Sequence, residues 1–211
     1  MKTAYKTIAQ EAQAELVEKR SRFIATAAPV QTEQEALDLL ARLRQKYWDA
    51  RHNVYAYILQ ENNVARYSDD GEPSGTAGPP VLDMLKKEGL SNLIVVVTRY
   101  FGGILLGTGG LVHAYSKSSK MGVEAAGIVR MVLCRELFIN CDYTWLGKIQ
   151  NHLASWPDMK GLAPRYAEKV VLPIYLPVDQ TDQFITSLID VTNSRASITM
   201  GDTCFHSFPE Q

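Results

Sequence analysis

The stretch NLIVVVTRYFGGILLGTGG, residues 92–110, limits what this chain can fold into more than any other part of it. Leu93 to Val97 are apolar without alternation, so a strand here is covered on both faces and sits centrally in its sheet. Gly102, Gly103, Gly107, Gly109 and Gly110 follow, and the chain turns into a helix predicted from near Thr108, with Leu111, Ala114, Tyr115 and Met121 facing inward. A glycine-rich strand-to-helix turn lets backbone approach a ligand closely, and the free N–H groups and dipole of the helix favour an anion there. The turn has neither the GK[ST] ending of a P-loop nor the GxGxxG spacing of a dinucleotide site. Tight strand-to-helix packing with no ligand is the competing reading.

The flanking segments alternate between strand and helix patterns. Residues 1–30 read as two extended segments, TAYKTIA and AELVEKRSRFIATAAPV, the second alternating apolar and charged residues before Pro29. TEQEALDLLARLRQKYW opens with Thr32 and Glu35 spaced as a capping box, and Leu37, Leu40, Leu43 and Tyr47 recur at helical spacing. HNVYAYILQ predicts a strand, VARYSDD its hairpin partner across Asn62-Asn63, and PPVLDMLKKEGL a helix with prolines at its start and Gly89 at its end. From Arg135 the order becomes strand, helix, two strands, helix, strand, the split βαβ pattern of ferredoxin-like domains, complete by Phe208. Trp145, Trp156, Phe184, Ile185 and Leu188 fit its core. The expected fold is α+β in two domains, 1–133 and 134–211.

Composition excludes several classes. With 211 residues, 46% of them hydrophobic, the chain has ample material for packed cores. Residues 1–130 carry a net +2 (16 Lys+Arg, 14 Asp+Glu) and residues 131–211 a net −3 (6 and 9), too mild to demand nucleic acid. Cys134, Cys141 and Cys204 have no paired metal-ligand spacing, so reduced thiols are expected. Charges run throughout the first residues and no apolar stretch approaches membrane-spanning length, which predicts a cytoplasmic protein with no membrane partner.

RYSDDGEPSGTAG, residues 66–78, sets Asp69, Asp70 and Glu72 among glycines and hydroxyl side chains. Paired carboxylates serve acid–base chemistry or hold Mg²⁺, and the same residues also build Asx turns and bends. No nucleophile or orienting histidine stands in a recognisable relation to them, so the turn reading leads, and no catalytic residue, metal or cofactor is assigned. Arg99 closes the apolar strand where it meets solvent, beside Tyr100 and Phe101. It reads either as a bidentate fork for phosphate or carboxylate with rings nearby for stacking, or as an internal ion pair with the acidic loop. Arg51 and His52 precede a strand and extend such an anionic site, while a lone histidine there is also an ordinary structural residue. Lys117 and Lys120 on the following helix widen the basic surface. Cys204 and His206, two apart on a strand, share a face and read as packing.

RYSDDGEPSGTAGPPVL and VVVTRYFGGILLGTGGLVHAYSKS, with RHNVYAYIL upstream, closely resemble the YigZ/IMPACT family, and the likeness extends over the whole chain as in its bacterial two-domain members. The resemblance implies an N-terminal domain with the fold of a ribosomal-protein domain and of elongation factor G domain IV. It implies a C-terminal ferredoxin-like domain similar to elongation factor G domain V. Eukaryotic relatives regulate translation by binding the activator of the amino-acid-starvation kinase, a stress response whose partners do not transfer; the broader link to translation does. The expected function is that of a non-enzymatic, cytoplasmic binding protein for RNA or the ribosome, with no DNA-specific signal. Its surface would comprise Arg51, His52, Arg99, Tyr100 or Phe101, Lys117 and the turn Gly102–Gly110, bracketed by Asp69, Asp70 and Glu72. A phosphate-ligand enzyme using the same loop and turn, and a docking module for a protein partner, are the alternatives.

Overall fold

The computed structural model describes residues 3–209. Among them are two sheets and five α-helices. The chain divides into two compact units, Tyr5–Arg130 and Met131–Phe208. In chain order the first contains β1 (Ala4–Ile8), β2 (Ala12–Glu18), β3 (Ser21–Pro29), α1 (Glu33–Lys46), β4 (His52–Leu59), β5 (Val64–Ser68), α2 (Gly78–Lys87), β6 (Leu93–Tyr100) and α3 (Gly107–Ala126).

Five strands form one antiparallel sheet in the order β2-β3-β6-β4-β5, with the predicted strand β6 at its centre and Leu93 to Val97 fully buried. Because side chains alternate along a strand, the two faces carry separate cores. Val95 and Val97 pack with Phe23, Ala25, Val81, Leu85 and Tyr115 under α2 and α3. On the other face Ile94 and Val96 pack with Ala36, Leu40 and Leu43 of α1. Thr32 caps α1 as the spacing predicts, accepting the Glu35 N–H at 3.2 Å, while the Glu35 carboxylate takes the N–H of Gln31, one residue ahead of the cap. Leu37 departs from the predicted apolar stripe and is exposed; Ala36 and Leu39 hold the buried positions.

The second extended segment proves to be the β2–β3 hairpin, reversing at Lys19 and Arg20, both with positive φ (43° and 67°). That backbone suits a two-residue hairpin turn, and Lys-Arg carries none of the Asn or Gly signals that announce one in a sequence.

The second unit contains most of β7 (Ile128–Cys141), then α4 (Leu146–Leu153), β8 (Lys160–Gly161), β9 (Arg165–Tyr166), β10 (Val170–Pro177), α5 (Thr181–Thr192) and β11 (Ser197–Pro209). Strands run β8-β10-β7, with β9 also on β10 and β11 on β7. Leu137, Ile139, Leu172 and Ile174 face Ile149, Phe184 and Leu188 of the helices, and Trp145, Trp156 and Ile185 pack half-buried around them. The strand expected over LAPRYAE is broken. Five steps along β10, Tyr175 to Val170, face six along the opposing chain, Lys160 to Tyr166, so the pairing bulges by one residue next to Pro164.

Candidate functional site

In the first unit, strand register places Phe23, Arg99 and His52 directly opposite one another across β3, β6 and β4. Their side chains therefore rise from one face of the sheet in a row. The Arg99 guanidinium carbon lies 5.3 Å from the centre of the Phe23 ring and 5.8 Å from that of Phe101, between two aromatic faces. Its Nη1 donates to Glu72 Oε1 at 2.5 Å, its Nη2 stands 3.4 Å from Ser21 Oγ, and its Nε has no hydrogen-bond partner. Arg99 is 6% exposed, so the sequence expectation that it sits where the strand meets solvent is corrected: the ion pair with the acidic loop exists, and it is internal.

Glu72 also accepts the Tyr115 hydroxyl at 2.8 Å, from α3. Burial, then the Glu72 carboxylate, pushes the Tyr115 hydroxyl pKa far up, so it stays a donor. Tyr115 meets the Phe23 ring edge-on with centroids 5.2 Å apart. The other two acids turn elsewhere. Asp69 accepts N–H groups of Gly75, Ala77 and Gly78 at 2.8–3.0 Å, closing the loop and capping α2. Asp70 takes Arg44 and the Asn53 N–H on its two oxygens, at 2.7 and 2.6 Å. The three carboxylates thus do three separate jobs and do not converge on one reacting centre or cation.

Beside this buried group opens a cleft of about 420 Å³, lined by Arg51, His52 and Arg99 and by the apolar side chains of Phe101, Leu105 and Leu111. Gly107 and Thr108, the first residues of α3, also line it. The helix starts without a side-chain cap and without an acid in its first turn, so its leading N–H groups and positive dipole end carry no anionic side chain there. His52 Nδ1 lies 2.9 Å from the Asp70 carbonyl oxygen, which only accepts, so Nδ1 carries the proton and Nε2 is the nitrogen turned toward Glu72, 4.0 Å away. Arg51 is exposed, and Phe101 and Leu105 are 53% and 82% exposed.

Of the residues expected to form a surface, the structure brings Arg51, His52, Glu72, Arg99, Phe101 and Gly107 to one cleft. Tyr100 is not with them: it follows Arg99 on the strand, so it points to the opposite face, where its hydroxyl donates to Asp49 at 2.7 Å and its pKa is pushed up to about 12, by burial and then by Asp49. Lys117 is exposed farther along α3 and does not line the cleft, and Lys120 pairs with Glu88 at 3.2 Å. Gly102 serves packing; a Cβ there would stand 2.0 Å from the Arg20 carbonyl carbon. Gly103 and Gly107 have φ of 82° and 72°, while Gly109 and Gly110 lie in the first turn of α3.

Sequence reasoning missed Ser21, Phe23, Tyr115 as a polar partner, Leu105 and Thr108. Only the register and the depth of α3 identify the first three. Leu105 carried a readable signal, a large apolar residue inside a glycine-rich turn.

A model of the Impact N-terminal domain matches residues 19–123, and a domain of unknown function (DUF1949) matches residues 139–195. The chain is 41% identical to the IMPACT family member YvyE of Bacillus subtilis over 204 residues, 96% of this chain and 93% of that protein. It is 35% identical to the IMPACT family member YigZ of Escherichia coli, covering 85% and 88% of the two chains. The match to Protein IMPACT of Rattus norvegicus, at 33%, covers 53% of this chain and 36% of the rat protein. A solved structure described as that of an hypothetical protein superposes with a TM-score of 0.60 at 30% identity, over 96% of this chain and 99% of its own.

Proposed function

The chain belongs to the IMPACT family, and from that premise we propose that it is a translation-linked, non-enzymatic binding protein whose N-terminal unit engages RNA, free or in the ribosome, through the cleft at the start of α3. The observation that carries this reading is the meeting of Arg51 and His52 with an uncapped helix N-terminus in one open cleft. Phosphate oxygens are met by arginine forks, backbone N–H groups and helix N-termini alike, and such contacts are sequence-independent.

Within the cleft the charges divide the work. Arg99 is paired with Glu72 and flanked by the Phe23 and Phe101 rings, so its charge is committed internally. Arg51, exposed, is the side chain free to meet a phosphate. The strand order of the second unit, with β7 and β10 at its centre, supports the ferredoxin-like reading, and the elongation factor G likeness of both units is proposed with it. A cytoplasmic location is part of the same proposal; no helix among the described residues is long and apolar enough to cross a membrane.

Cosedimentation with ribosomes and with total RNA at low and moderate salt tests this. The expected result is association that weakens with salt and is reduced, with a shallower salt dependence, in Arg51→Ala. Salt-sensitive association that is identical in Arg51→Ala would move the contact surface away from the cleft, and no association at low salt would end the RNA reading.

A further inference from the structure

The cleft has a mixed lining that phosphate contact alone does not use. Arg51 and the first residues of α3, Gly107 and Thr108, line it together with the apolar side chains of Phe101, Leu105 and Leu111. Phe101 is half-exposed although it is the residue after a buried strand, and one of its neighbours is the Arg99 guanidinium, 5.8 Å from the ring centre. Arg99 itself is held by Phe23 and Glu72, with its Nε unpartnered among the described residues. The aromatic ring therefore rests against a buried cation while about half of the residue stays open to solvent. At about 420 Å³ the concavity has the size of a small-ligand site.

We propose that this cleft receives one unpaired nucleotide of a single-stranded RNA, its base laid against Phe101 and Leu105 and its phosphate toward Arg51 and the first N–H groups of α3. This rests on the RNA reading given above and narrows it. In a duplex each base face is covered by its neighbours and each base edge by its partner, so nothing of base size can enter the pocket. An unpaired nucleotide offers both a π-face and an adjoining phosphate, which is what a lining both apolar and cationic selects. Because every base has a π-face, the site discriminates strandedness more than sequence.

The test is fluorescence anisotropy of the full-length protein with one short labelled oligoribonucleotide in three forms: single-stranded, annealed to its complement, and single-stranded with abasic positions. The single strand is expected to bind tightest. Phe101→Ala is expected to weaken the single strand by roughly five-fold to a hundred-fold, down to the abasic level, the range seen when one stacking ring is removed. Phe101→Tyr, which keeps a ring, is expected to bind as the parent does. Arg51→Ala is expected to weaken all three forms. The half-exposed position of Phe101 leaves the core intact in these variants, which circular dichroism verifies. Duplex bound as tightly as single strand, or Phe101→Ala without effect, overturns the unpaired-nucleotide inference while leaving RNA binding in place. Binding of none of the three forms removes both.

Discussion

Arg99 and Glu72 form a buried ion pair, with side chains 7% and 4% exposed, and each is the main charge partner of the other. Removing one member of such a pair strands the other in a low-dielectric site, which costs about 3–5 kcal/mol, whereas replacing both with apolar groups of similar volume is often close to neutral. Arg99→Ala is thus expected to lower unfolding free energy by about 3–5 kcal/mol in a denaturant titration, and Arg99→Met with Glu72→Leu to recover most of it. A loss below about 1 kcal/mol in the single variant would show that Glu72 finds another partner. It follows that binding experiments belong on Arg51, not on Arg99. The sequence made Arg99 legible as a residue of the site and left its partner open between ligand and acidic loop. Its burial was not legible, because the Phe23 ring against it is brought there by strand register, and Tyr115, which shares Glu72 with it, comes from a helix that packs back over the sheet.

At the scale of elements, the loop RYSDDGEPSGTAG was legible as turn chemistry, and Asp69 shows why that chemistry looks like an acid cluster. Its carboxylate gathers the N–H groups at the start of α2, whose own cap position is Ala77 and provides no side-chain acceptor. Asp69→Ala is expected to cost about 1 kcal/mol, within the 0.5–2 range of lost caps, and to speed amide hydrogen exchange in the first turn of α2. Unchanged exchange there would mean that backbone turns hold the loop without the carboxylate. The helices α1, α2 and α3 and the strands β4, β5 and β6 followed from periodicity and from Thr32, the Asn62-Asn63 turn and Gly89. The β2–β3 hairpin did not, since its turn residues are chosen by the twist of the strands and by Gly102 packed against them rather than by intrinsic turn preference.

Across the molecule, all three cysteines lie in the second unit and differ in burial. Cys134 and Cys141 are buried, and burial pushes both thiols up, that of Cys134 to about 11 with the nearby Cys204 adding to it. Cys204 is exposed on β11, its sulfur 3.3 Å from His206 Nε2, the shared face that their spacing predicted. A native-state titration with an aromatic disulfide reagent is therefore expected to show one fast thiol, and three after denaturation. Two or more fast thiols would reveal frequent opening of the second unit. The same whole-chain view gives the cleft a place in time. Its defining contacts join residues 18, 27, 43 and 78 positions apart, from His52 to Asp70, Arg99 to Glu72, Tyr115 to Glu72 and Arg99 to Ser21. Each of these contacts needs chain from more than one element, so none is available until the later partner has been made. A growing chain that has emerged through β6 already carries the arginine and the acid but has no cleft until α3 arrives to close it. Possession of the binding surface is in this way a certificate that the first unit has folded through α3, and a copy that stops short of it is silent toward whatever the folded unit binds.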